Sequence, residues 1–133
     1  MNVVDNKENN ITTASFMIEE SASENVDFIV LPEMFNCPYS NDKFIEYGEE
    51  EKDSPTLSKI SSLANENNVY ILAGSIPEKE GDKLYNTSYL FDRNGEIIAK
   101  HRKMHLFDID VKGKITFKES DVLTAGNDFT IVN

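Results

Sequence analysis

Glu33, Lys103 and Glu119 are the residues of this chain whose types best suit chemistry on a small molecule. Glu33 closes the run FIVLPE, in which Phe28 to Pro32 lead directly into a carboxylate. An unpaired carboxylate is costly to bury, so a glutamate at the mouth of an apolar strand is either solvated at once or held there for use. Lys103 closes EIIAKHRK, and Glu119 lies in ITFKES. If the three converge, a carboxylate can move protons while the ammonium offsets negative charge on an oxygen. Spacing alone leaves the alternative open that each is a surface charge or half of a salt bridge.

The elements that must position these groups are readable in one pass. Asp5 and Glu8 have capping-box spacing, and Ile11, Ala14, Ser15, Ile18 and Ala22 share a stripe, which predicts an amphipathic helix over 6–24. DFIVL, 27–31, reads as a short strand covered on both faces and stopped by Pro32. Ser54-Pro55 starts a second helix with the stripe Leu57, Ile60, Ser61 and Ala64, ending near Asn67-Asn68. VYILAGSIP, 69–77, predicts another buried strand. Strands at 84–92 and 96–103 flank Asp92-Arg93-Asn94-Gly95, a hairpin signal. Residues 104–126 show no period and read as a long loop, with a last strand beginning near Asp128. The order implies an α/β layered architecture, a mixed sheet with helices packed on it.

With 133 residues the chain is about one domain, 1–133. Its net charge of -11, from 13 basic residues against 24 acidic ones, excludes nucleic acid and anionic membrane surfaces as expected partners. No apolar run is long enough for a membrane span, and MNVVDNKENN is not a secretion signal, so a cytoplasmic location is expected. A single cysteine, Cys37, cannot form an internal disulfide, which fits a reducing compartment. No glycine-rich phosphate loop follows a strand, which argues against nucleotide binding.

FIVLPEMFNCPYS, LYNTSYLFDRNGEIIAKHRKMHLFDID, GKITFKES and LTAGNDF, taken together and in this order, resemble the nitrilase superfamily of carbon–nitrogen hydrolases, with the nearest look to its omega-amidase branch. The resemblance implies an αββα sandwich, here a partial one with helices packed on one face of the sheet. It also implies hydrolysis of the non-peptide amide of a small ω-amido carboxylic acid by a Glu-Lys-Cys triad, without metal or organic cofactor. Glu33 matches the glutamate of the family's PE motif, and Lys103 matches the lysine of its RK-x-HLF segment. Glu119 matches a further active-site glutamate thought to position substrate and nucleophile. A dimer or larger homo-oligomer is implied for the full-length protein. The resemblance places the nucleophile after a strand that begins here as DFTIVN and places a first strand before Val3, so the chain is expected to be an internal piece, truncated at both ends and inactive alone.

Cys37 lies four residues past Glu33 in a Pro-flanked loop and reads as a packed residue, not the nucleophile. His101 and His105 are four apart, but on a strand leading into a loop, so metal pairing is not supported. Tyr39, with the turn around Pro38, either lines the substrate entrance, as the resemblance implies, or packs as an aromatic. Arg102 should point away from Lys103 and be structural, and Glu49-Glu50-Glu51 reads as a solvated helix end. Besides a truncated amidase, two readings stay open: a non-catalytic piece that binds or complements a partner chain, and an unrelated small α/β binding module.

Overall fold

Residues 1–132 are described by a computed structural model. The first helix, α1 (Lys7–Ala22), is capped by Asn6, whose side chain accepts from Asn9 N–H at 2.9 Å. This corrects the expected capping box on Asp5. That carboxylate turns instead to Lys43 at 2.8 Å and to the Tyr47 hydroxyl at 2.8 Å, partners no local pattern reveals. Strand β1 (Phe28–Val30) follows, then a tight turn, helix α2 (Asn41–Tyr47), the two-residue strand β2 (Glu49–Glu50) and helix α3 (Pro55–Asn67). Ser54 caps α3 by accepting from Leu57 N–H at 3.0 Å, with Pro55 in the first turn, and Asn68 ends it at φ 54.

The sheet has the order β1-β3-β4-β5, with β3 at Tyr70–Glu80, β4 at Lys83–Phe91 and β5 at Ile97–Arg102. β1 and β2 each pair parallel with β3, while β3-β4 and β4-β5 are antiparallel. A mixed sheet results, as expected. The Asp92–Gly95 turn is held by the Asp92 carboxylate, which accepts from Asn94 and Glu96 N–H at 2.9 Å each. Ala14 and Ile18 of α1, Ile60 and Leu63 of α3, and Ile71, Tyr89 and Phe91 of the sheet form one buried cluster, so both long helices cover the same face.

Four further expectations are corrected. β1 is not covered on both faces: Ile29 is buried, but Phe28 and Val30 are exposed, because the helices cover one face of an edge strand. Glu49 is not a solvated helix end. Strand alternation in β2 turns it inward, where Thr56 Oγ1 at 2.7 Å, Lys7 Nζ at 2.9 Å, the Ser54 hydroxyl and Asn36 Nδ2 at 3.2 Å satisfy it. The 104–126 loop contains a hairpin, β6 (Asp108–Val111) against β7 (Ile115–Lys118), turned at Gly113 with φ 74. Its strands are four residues each, too short to show a period against the surrounding charges. Residues 128–132 form no strand; the Thr130 side chain reaches Lys100 O at 3.0 Å, without a backbone ladder. α2 lacked an expectation, although Phe44 and Tyr47, its buried residues, have helical spacing.

Candidate active site

Glu33 stands three residues beyond β1, where the chain crosses the middle of β3 at Gly74 and Ser75. A β-bulge between Ala73 and Ile76 opens that place. Gly74 has φ +23, and a Cβ there would sit 2.0 Å from the Pro32 carbonyl oxygen, so only glycine lets the two backbones meet. Beyond the crossing, Met34 N–H donates to the Ser75 hydroxyl at 3.0 Å and Phe35 N–H to Ser75 O at 3.2 Å. Met34 itself is left-handed at φ 49. The turn is therefore held on both sides of the glutamate.

Lys103 extends β5 by one residue, with its N–H donating to Asn86 O at 2.8 Å and its carbonyl accepting from Gly126 N–H at 2.9 Å. Glu119 is delivered by the β6-β7 hairpin. Its backbone N–H donates to Phe107 O at 3.1 Å, and its fully buried carboxylate accepts from Phe107 N–H at 2.5 Å. The three residues expected from the sequence converge on one ammonium. Lys103 Nζ lies 2.9 Å from Glu33 Oε1 and 3.0 Å from Glu119 Oε2.

Two more groups complete the cluster. Asn86 Nδ2 donates to Glu33 Oε1 at 2.7 Å. The Tyr39 hydroxyl donates to Glu119, lies 3.2 Å from Glu33 Oε1, and is 3.4 Å from Lys103 Nζ. The Tyr39 ring packs edge-on to Phe44 and tilted against Phe117, the aromatic packing expected of it, with its polar tip in the cluster. Asn86 was not singled out from the sequence. Its only signal is an amide in the expected strand LYNTSYLF.

The electrostatics follow from these contacts. Burial pushes the Glu33 carboxyl up, but hydrogen bonds from Lys103 and Asn86 outweigh it, and the group is held below the usual carboxylate range. Burial pulls Lys103 down, while Glu33 and Glu119 raise it further, so its ammonium is charged. Burial, then the contact with Glu119, raises the Tyr39 phenol, which stays neutral. Glu33 and Lys103 also line a cavity of about 470 Å³ with Val30, Gly74, Ser88 and His101, on the sheet face that the long helices leave open. A fixed carboxylate and a fixed ammonium on one cavity wall can move a proton and stabilise an oxyanion.

The other sequence readings sort cleanly. Arg102 faces away from the cluster, donating to Glu78 at 2.7 and 2.8 Å with its guanidinium 3.8 Å from the Tyr85 ring centre, a structural role as expected. Cys37 is buried among Met34, Phe44 and Leu84, is absent from the lining of the Glu33–Lys103 cavity, and has its thiol pushed up to about 12 by burial. His101 is on β5 and His105 is beyond it, as expected. Among the described residues no helix is long and apolar enough to cross a membrane.

With the geometry in place, comparison with known proteins shows what the chain is similar to. The family model described as carbon-nitrogen hydrolase matches residues 1–133. The chain is 48% identical over 137 aligned positions to a chloroplastic omega-amidase of Arabidopsis thaliana, covering all of this chain and 37% of that protein. It is 46% identical to human omega-amidase NIT2, covering 93% of this chain and 45% of the relative. Saccharomyces cerevisiae Nit3, described as a member of branch 10 of the nitrilase superfamily, superposes with a TM-score of 0.82 at 35% identity, over 96% of this chain and 46% of that one. The chain thus spans less than half the length of these relatives.

Proposed function

This chain belongs to the carbon–nitrogen hydrolase family, and from that premise we propose that the protein hydrolyses the amide of a small ω-amido carboxylic acid by a Glu-Lys-Cys mechanism. The similarity to omega-amidases supports the substrate class. The observation that carries the mechanism is the placement of Lys103 Nζ 2.9 Å from Glu33 and 3.0 Å from Glu119 at one cavity.

On this reading Glu33 takes the proton of a cysteine thiol, and the thiolate attacks the amide carbon. The carbonyl electron pair moves to oxygen, where the Lys103 ammonium offsets the charge. Collapse breaks the carbon–nitrogen bond as Glu33 returns the proton to nitrogen, which leaves as ammonia. Water then gives a proton to Glu33 and attacks the thioester; the carbon–sulfur bond breaks and the thiolate recovers the proton. Glu33 is suited to begin as the acceptor because its contacts keep it ionised. As the oxyanion draws Lys103 away from Glu33, the carboxylate loses a donor and becomes the stronger base that the step needs. Glu119, buried and bonded to Lys103, Tyr39 and the Phe107 N–H, holds the ammonium between the two carboxylates.

Cys37 does not fit the role of nucleophile, since its thiol is buried with its pKa near 12 and lies outside the cavity. On this reading the nucleophile is a cysteine other than Cys37, and these 133 residues by themselves should release no ammonia. In the complete protein, Glu33→Gln should lower turnover of a short ω-amide by about 10³-fold and Lys103→Ala by about 10²-fold or more, with the fold intact. Ammonia release measures both, and near-normal rates in either variant would remove the assignment.

A further inference from the structure

Asn86 touches both ends of the proposed machinery. Its side-chain Nδ2 donates to Glu33 Oε1 at 2.7 Å, and its backbone carbonyl accepts from Lys103 N–H at 2.8 Å. The residue is 3% exposed and sits in β4 between two antiparallel neighbours, paired to Pro77 of β3 and followed by Thr87, which pairs with Arg102 of β5. Its amide therefore has the rigidity of the sheet centre.

The two oxygens of Glu33 are treated unequally. Oε1 faces Asn86, Lys103 at 2.9 Å and the Tyr39 hydroxyl at 3.2 Å, whereas among the described residues Oε2 accepts no hydrogen bond. Of the donors to Oε1, Lys103 is also bonded to Glu119, and on the reading above it turns toward substrate during the reaction. Tyr39 already donates to Glu119. Asn86 has no competing partner and no proton to transfer, so its contact does not depend on the stage of the reaction.

We propose that Asn86 is a positioning residue, a neutral anchor that keeps one oxygen of Glu33 occupied and leaves the other as the working proton acceptor while Lys103 moves between carboxylate and substrate. This rests on the hydrolase reading. The anchor also couples the two catalytic ends, because the carbonyl of the same residue holds the backbone from which Lys103 extends.

The test compares the complete wild-type protein with Asn86→Leu, which removes the donor at similar size, and Asn86→Asp, which keeps the shape, removes the donor and adds a charge. Both retain the backbone carbonyl contact. Glu33 is followed by its carboxyl carbon in protein labelled with ¹³C-glutamate, the signal identified by its loss in Glu33→Gln. Ammonia release from the four-carbon ω-amido acid succinamate is followed across the same pH range. The Glu33 midpoint should rise by about one pH unit in Asn86→Leu and further in Asn86→Asp. The acid limb of kcat/KM should move by the same amount, and kcat should fall about 10- to 100-fold with KM nearly constant. Folded variants whose Glu33 midpoint and acid limb stay at the wild-type values would overturn the proposal, and if the leucine variant fails to fold, the aspartate variant decides. A midpoint that moves in a protein whose wild type releases no ammonia would support the anchor and remove the hydrolase reading instead.

Discussion

At the scale of single residues, the decisive feature is that similar side chains have opposite fates according to their surroundings. Glu33 is solvent-accessible yet kept ionised by Lys103 and Asn86, while Glu119 is fully buried and bonded on both oxygens. Cys37 shows the contrasting case of a reactive type made inert. With its thiol pushed up to about 12, almost none is thiolate at neutral pH. A thiol reagent at neutral pH should leave Cys37 unmodified until the protein is unfolded in denaturant, and Cys37→Ser should leave amide turnover in the complete protein within about twofold of wild type. Rapid labelling of the folded protein, followed by mass spectrometry, would contradict this. Glu33, Lys103 and Glu119 were visible in the sequence because they end apolar strands or lie in family-like segments. Asn86 was not, since its meaning depends on a partner 53 residues away.

At the scale of elements, the glutamate turn depends on two supports that no periodicity announces. One is Gly74. Replacing it by alanine should cost at least about 2 kcal/mol, because the added Cβ meets backbone oxygens of Leu31 and Pro32 in a φ that side chains rarely adopt. Urea unfolding measures this, and the same variant should lose turnover through displacement of Glu33. The other is Glu49, which ties Lys7 of α1, the Asn36 loop and the start of α3 around one carboxylate. Glu49→Ala should cost about 2 to 3 kcal/mol, below the range for a fully buried pair because Lys7 keeps some contact with water. An unchanged urea midpoint would show that the ion pair is dispensable. The long helices and the β4-β5 hairpin were legible because their stripes, the Ser54-Pro55 start and the turn residues are local signals, whereas the cap of α1 fell on Asn6 and not on Asp5. The β6-β7 hairpin that carries Glu119 was not: Ile109, Val111, Ile115 and Phe117 do alternate, but over strands too short to stand out.

At the scale of the whole molecule, acid should unfold the protein by removing carboxylates that the fold holds ionised. Burial raises Glu78, but Arg102, Lys100 and Thr87 lower it more, so it is depressed from 4.5 in the native state, as is Glu33. A depressed native value means that the unfolded chain binds protons more readily. The stabilisation is therefore complete above the unfolded value of about 4.5 and is lost as pH falls through the native one. The urea midpoint should drop below that pH, and Glu78→Gln should flatten the dependence; a midpoint that rises on acidification would mean that relief of the -11 net charge dominates. By itself the sequence determined what neighbours along the chain can decide: the helix stripes, the start of α3, the main hairpin, and the identity of the chemical groups that follow β1 and β5. Only the tertiary structure decided that groups 70 and 80 residues apart meet at one ammonium and one phenol, which face of β1 is covered, and that Glu49 points inward. Those outcomes depend on sheet register and on which backbones can touch, and such long-range packing leaves no periodic trace in the order of residues.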